Sequence, residues 1–82
     1  MSGWSVYILR CADDTLYTGI APDVRKRLQK HNEGKGAKYT RGRTPAVLVY
    51  QEEFPSRAEA SRREYQIKQL SRAEKLLLIE KA

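Results

Sequence analysis

The sequence predicts an α+β domain: a small three-stranded antiparallel sheet packed by helices, in the order β-β-α-β-α-α. Three observations carry this. Two short runs rich in β-branched, aromatic and aliphatic residues, Trp4 to Cys11 and Leu16 to Ile20, flank a polar turn. A third such run, Ala46 to Phe54, follows a stretch broken by glycines. Two Ser-x-x-Glu patterns, Ser56 to Glu59 and Ser71 to Glu74, then announce two helix starts. With 82 residues, the chain is expected to form one domain over 1–82, close to the lower size limit for independent stability.

Each element has a local reason. The first two runs form a hairpin around Ala12-Asp13-Asp14-Thr15. Residues directly opposite each other share a face, so Tyr7 and Tyr17 converge only if paired numbers sum to an even value. That requires an odd loop such as Ala12-Asp13-Asp14 between Cys11 and Thr15, or a bulge. Asp14 can adopt the left-handed conformation such a loop uses. Pro22 fits the first position of a helix, with Asp23 in its positive first turn. The helix runs to about His31 or Asn32, where Gly34 and Gly36 break it. A loop through Gly42 and Pro45 follows, with room for one helical turn around Ala37 to Thr40. Ala46 to Phe54 is the third strand, and helices over 57–69 and 72–80 close the chain.

Composition narrows the partners. Net charge is +6, but it is concentrated: between Arg25 and Arg43 lie eight Lys/Arg residues and one acid, Glu33. That stripe carries +7 while the rest of the chain sums to −1. A balanced body with one basic stripe is the footprint of a polyanion binder, nucleic acid ahead of membrane because apolar anchors are few. No signal peptide or membrane span is expected. The single cysteine, Cys11, suits a reducing cytoplasm and reads as a small buried hydrophobe at a strand end.

Charged residues stand where a core is expected. Positions 24, 27, 28 and 31 share one helix face, so Arg27 and His31 accompany Val24 and Leu28. In the next helix, Glu64 sits between Ala60 and Ile67 on an apolar stripe. A chain this short has little stability to spare for half-buried charges, which suggests a pocket at the sheet edge. Plainer readings exist: Arg27 can snorkel, Glu64 can pair with Lys68 on the surface, and His31 can favour its helix C-terminus.

Taken together, these residues resemble the GIY-YIG nuclease family. Ser5-Val6-Tyr7 stands at the first motif, Tyr17-Thr18-Gly19 at the second, Arg27 at the usual distance, and Glu64 at the metal-binding glutamate. The stretch from His31 to Thr40 further resembles the short stand-alone bacterial (YhbQ-like) branch and the catalytic domain of eukaryotic structure-specific endonucleases. Departures are Ser5, Val6 and Thr18 within the motifs. A late asparagine and additional DNA-binding domains, common in the family, are also missing.

The resemblance implies a metal-dependent nuclease that hydrolyses DNA phosphodiesters, structure-selective or weakly sequence-selective, in DNA repair or recombination. It implies one divalent ion, Mg²⁺ or Mn²⁺, on Glu64, with Arg27 gripping the phosphate. Tyr7 or Tyr17 would orient or deprotonate water, a covalent phosphotyrosine being the alternative. A base role requires a phenol pKa lowered from about 10. His31 would touch phosphate or water, and Gly19 would permit close packing beneath the pocket. Arg25, Lys26, Lys30, Lys35, Lys38, Arg41, Arg43 and Lys68 would track the nucleic-acid backbone, with Tyr39 stacking on a base. The expected partner is DNA ahead of RNA, with no membrane or small-molecule cofactor, and the chain is a monomer or weak homodimer. Two rival readings remain: a catalytically silent nucleic-acid-binding module of the same fold, and a protein adaptor docking through Arg72 to Lys81.

Overall fold

The computed structural model describes residues 3–36 and 42–81. Strands β1 (Trp4–Arg10) and β2 (Leu16–Ala21), helix α1 (Val24–Asn32), strand β3 (Val47–Phe54), and helices α2 (Arg57–Lys68) and α3 (Arg72–Lys81) follow in the expected order. The sheet is antiparallel throughout, in the order β2-β1-β3.

The β1–β2 hairpin has the register that the tyrosines need. Tyr7 lies opposite Gly19 and Leu9 opposite Tyr17, so both phenols point to one face. The loop is the odd one: Cys11 N–H donates to the Thr15 carbonyl at 2.8 Å and Asp14 N–H to the Cys11 carbonyl at 2.9 Å. Asp14 takes φ 70°, the left-handed residue of that loop. The Asp13 carboxylate accepts from the Thr15 hydroxyl at 2.6 Å and pairs with Arg43 at 2.8 Å.

β1 is central, and its residues 5–9 are all buried because helices cover both faces. On one face Tyr7 and Leu9 pack with Ala21, Val24 and Ala46, supported by Tyr17 and Leu28. On the other, Val6 and Ile8 pack with Ala60 and Ile67, and Leu16, Ile20, Leu78 and Ile79 close around them. Fully burying a side chain such as Ile67 is worth on the order of 1.5–3 kcal/mol. The α2–α3 face is therefore the better apolar core, and the α1 face admits polar side chains. β3 carries an irregularity where Ile8 pairs with Tyr50 but Leu9 with Leu48, leaving Val49 extra.

The helix starts refine the sequence expectation. Pro22 and Asp23 lie outside α1: Asp23 is its N-cap, accepting the Lys26 N–H at 3.1 Å, and Val24 is the first helical residue. A carboxylate satisfies an orphan N–H better from the cap than from within the turn. α1 ends at Asn32, with Gly34 at φ +79°. The Asn32 amide then clamps Ala46, accepting its N–H at 2.6 Å and donating to its carbonyl at 3.1 Å. The second capping box closes in both directions: Ser71 accepts the Glu74 N–H at 3.2 Å and the Glu74 carboxylate accepts the Ser71 N–H at 2.8 Å. In α3 only Leu78 and Ile79 turn to the core, while Leu76 and Leu77 are exposed. Among the described residues no helix is long and apolar enough to cross a membrane.

Candidate active site

Tyr7, Tyr17, Arg27 and His31 come together on the α1 face of the sheet. The Tyr7 hydroxyl lies 3.1 Å from His31 Nε2, and both residues are 1% exposed. The Tyr17 ring meets the His31 ring edge-on at 5.3 Å and the Tyr7 ring at 6.3 Å. The Arg27 guanidinium lies near the Tyr7 oxygen and favours its ionised form.

Glycine makes this approach possible. A Cβ on Gly19 would sit 2.7 Å from the Tyr7 hydroxyl and 2.9 Å from its Cζ. The phenol head therefore rests on the bare backbone of edge strand β2. Gly36 plays a similar part, since a side chain there would run into the His31 imidazole. Sequence inspection treated Gly36 only as a helix breaker and Asn32 only as a helix end. No local pattern announces contacts of this kind.

The electrostatics separate the two tyrosines. Burial, and then the neighbouring Tyr17, push the Tyr7 phenol up to about 12, although Arg27 pulls it down. The lowered value that a phenolate base requires is thus not found at Tyr7: desolvation outweighs the guanidinium. Tyr17 is half-buried and lines a cavity of about 450 Å³ together with Arg27, His31, Lys26, Lys30 and Lys35. Tyr17 is the phenol that faces the cavity.

Burial, and secondarily Arg27, lower the His31 pKa below its ordinary 6.5. The unfolded chain then binds a proton before the folded one does, so stability is fully present above about pH 6.5 and is lost as pH falls toward the lower folded pKa. Because His31 is the only histidine, the assignment can be checked. Urea midpoints of the native chain should begin to fall below pH 6.5, and His31→Gln should lack that component. An identical decline in both proteins would sink the buried neutral imidazole.

Glu64 belongs to the opposite layer, on α2, yet its charge also raises the Tyr7 phenol. The Glu64 side chain is 20% exposed and pairs with Lys68 at 3.2 Å, the i,i+4 contact of the plainer reading. Among the described residues no three His, Cys, Asp or Glu side chains gather as a metal site. One carboxylate is nevertheless a sufficient protein donor set for Mg²⁺, which completes its shell with waters and phosphate oxygens.

The basic stripe does not act as one surface. Lys26, Lys30 and Lys35 face the cavity, whereas Arg25 lines a separate groove with Ser5, Gln51 and Glu53. Arg43 is engaged by Asp13 at the hairpin tip, and Lys68 by Glu64. These three positions have other neighbours than the cavity. The expected turn at 37–40, and Lys38, Tyr39 and Arg41, lie outside the described residues.

The profile of the GIY-YIG catalytic domain matches residues 3–76. The chain belongs to the GIY-YIG family. Among its GIY-YIG relatives, the UPF0213 protein of Halobacterium salinarum is 60% identical over 70 residues, covering 85% of this chain and 91% of that one. The UPF0213 protein of Staphylococcus haemolyticus is 59% identical over 75 residues, covering 92% of each. The solution structure of a UPF0213 protein from Bacillus halodurans matches with a TM-score of 0.61 at 52% identity, over 98% of this chain and 84% of that one. These short relatives fit the stand-alone branch of GIY-YIG proteins.

Proposed function

We propose that this chain is a metal-dependent nuclease that hydrolyses DNA phosphodiester bonds with structure selectivity or weak sequence selectivity. The observation that carries the reading is the meeting of Tyr17, Arg27 and His31 at one lysine-lined cavity. Arg27 grips the scissile phosphate and offsets charge growing in the transition state. Tyr17 orients the attacking water. Tyr7 stays neutral behind them, holding Arg27 and His31 in place. Lys26, Lys30 and Lys35 draw in the backbone, which confers affinity and salt dependence with little base preference. Glu64 would hold Mg²⁺ or Mn²⁺, which when bound supplies polarisation of the phosphate and stabilisation of the leaving oxygen. The setting we infer is the cytoplasm, in DNA repair or recombination, where irregular DNA structures arise.

The Glu64–Lys68 pair favours a second reading: a binding module in which the carboxylate is already satisfied and no turnover occurs. Cleavage of a labelled panel of single-stranded, duplex, flapped and branched DNA separates the two. The nuclease should cut at least one structure with Mg²⁺ or Mn²⁺, stop on chelation, and weaken as salt rises. Salt-sensitive binding with no cutting in either metal would establish the silent module instead.

A further inference from the structure

Thr18 sits inside the second tyrosine motif, yet the mechanism above asks nothing of it. It is 4% exposed, and among the described residues its Oγ1 is a buried side-chain oxygen with no hydrogen-bond partner. A valine would fill the same space without leaving a polar group unsatisfied, so the hydroxyl is costly unless another state satisfies it.

Its surroundings identify that partner. Thr18 lies opposite Ile8 in the β1–β2 register. Alternation along β2 places it between Leu16 and Ile20, which pack with Ile8 against Ala60 and Ile67 of α2. Glu64 is the residue of α2 between those two, on the same stripe. Among the described residues of α2, only Ala60, Arg63, Glu64 and Ile67 escape full exposure. Arg63 is turned to β3, where its Nε holds the Glu52 carboxylate at 3.0 Å. That leaves Glu64 as the half-buried α2 carboxylate on the β2 side. Its charge is felt by the Tyr7 hydroxyl, which rests on Gly19, the residue after Thr18. In this state the Glu64 Oε2 is occupied by Lys68.

We propose that Thr18 is a positioning residue for Glu64, exchanging with Lys68. When the carboxylate leaves Lys68 to hold a divalent cation, one oxygen accepts the Thr18 hydroxyl proton and the other faces the cation. The hydroxyl thereby fixes the carboxylate rotamer and finds the partner it lacks here. The inference rests on the metal-dependent reading and specifies how this chain supports a lone carboxylate.

The test follows Mn²⁺ binding directly, through paramagnetic broadening of backbone amide signals in the native chain, Thr18→Val and Thr18→Ser. The Gly19 and Glu64 amides of the native chain should broaden saturably. Thr18→Val should need about tenfold more Mn²⁺, the usual scale for losing a hydrogen bond to a metal ligand. Thr18→Ser, which keeps the hydroxyl, should bind within about twofold of native by the same reasoning. Without metal, Thr18→Val should unfold at the native temperature or above it. Equal Mn²⁺ affinity in native and Thr18→Val would overturn the role of Thr18 and leave the metal site standing. Absence of saturable broadening in the native chain would overturn both.

Discussion

Glu64→Ala is expected to reduce metal-dependent cleavage by roughly a thousandfold or more, while the protein unfolds at the native temperature or slightly above it. The first half follows from losing the carboxylate proposed to hold the metal: metal stabilisation of the transition state is worth several kcal/mol, and ~4 kcal/mol is about a thousandfold. The second half follows from packing. Glu64 lies on an apolar stripe between the fully buried Ala60 and Ile67, so alanine there removes a half-buried charge and keeps a strong helix former. The lost Lys68 pair is an i,i+4 contact worth only about 0.2–0.5 kcal/mol. Parallel cleavage and thermal unfolding measurements decide it. A variant that still cuts within tenfold of native would remove Glu64 from the chemistry. A large fall in stability would mark Glu64 as a structural residue.

Tyr17→Phe should lower kcat/KM by about 10²–10⁴, the range for losing a group that handles the proton or water in the transition state. Tyr7→Phe should cost less and act differently. The Tyr7 hydroxyl bonds His31 and sits by Arg27 but is sealed from the cavity by burial. Its removal therefore loosens the guanidinium and imidazole, raises KM as well as lowering kcat, and costs about 1 kcal/mol of stability for one buried hydrogen bond. Steady-state kinetics of both variants, with urea unfolding of each, distinguish the roles. Full activity in Tyr17→Phe together with collapse in Tyr7→Phe would reverse the assignment and require the pocket to open around the inner phenol.

The contrast between these tyrosines shows where sequence reading stops. The condition for both to share a face was legible, because strand alternation and an odd loop with a left-handed Asp14 are local matters, and the hairpin meets it. Which phenol is sealed was not, since it depends on α1 closing over Tyr7. The same packing decides the direction of the Tyr7 pKa. A base role would need Arg27, a metal or lysines to lower it, but at Tyr7 desolvation by residues distant in sequence wins. The basic run shows the same divide. Eight cations between Arg25 and Arg43 read as one stripe, yet helical rotation sends Arg25 to one groove and Lys26 and Lys30 to the cavity. The hairpin's Asp13 claims Arg43.

By itself, then, the sequence determined the element order, the capping boxes of the last two helices, the condition the hairpin register had to meet and the set of candidate residues. Each of these depends on periodicity, turn chemistry or capping within a few neighbouring residues. Only the tertiary structure decided that Tyr7 is inner and Tyr17 outer, that burial lowers the His31 pKa beside a phenol, and that among the described residues the Thr18 hydroxyl has no partner. Those properties arise from burial and from charges brought together across layers, and long-range packing alone sets how much water each group loses.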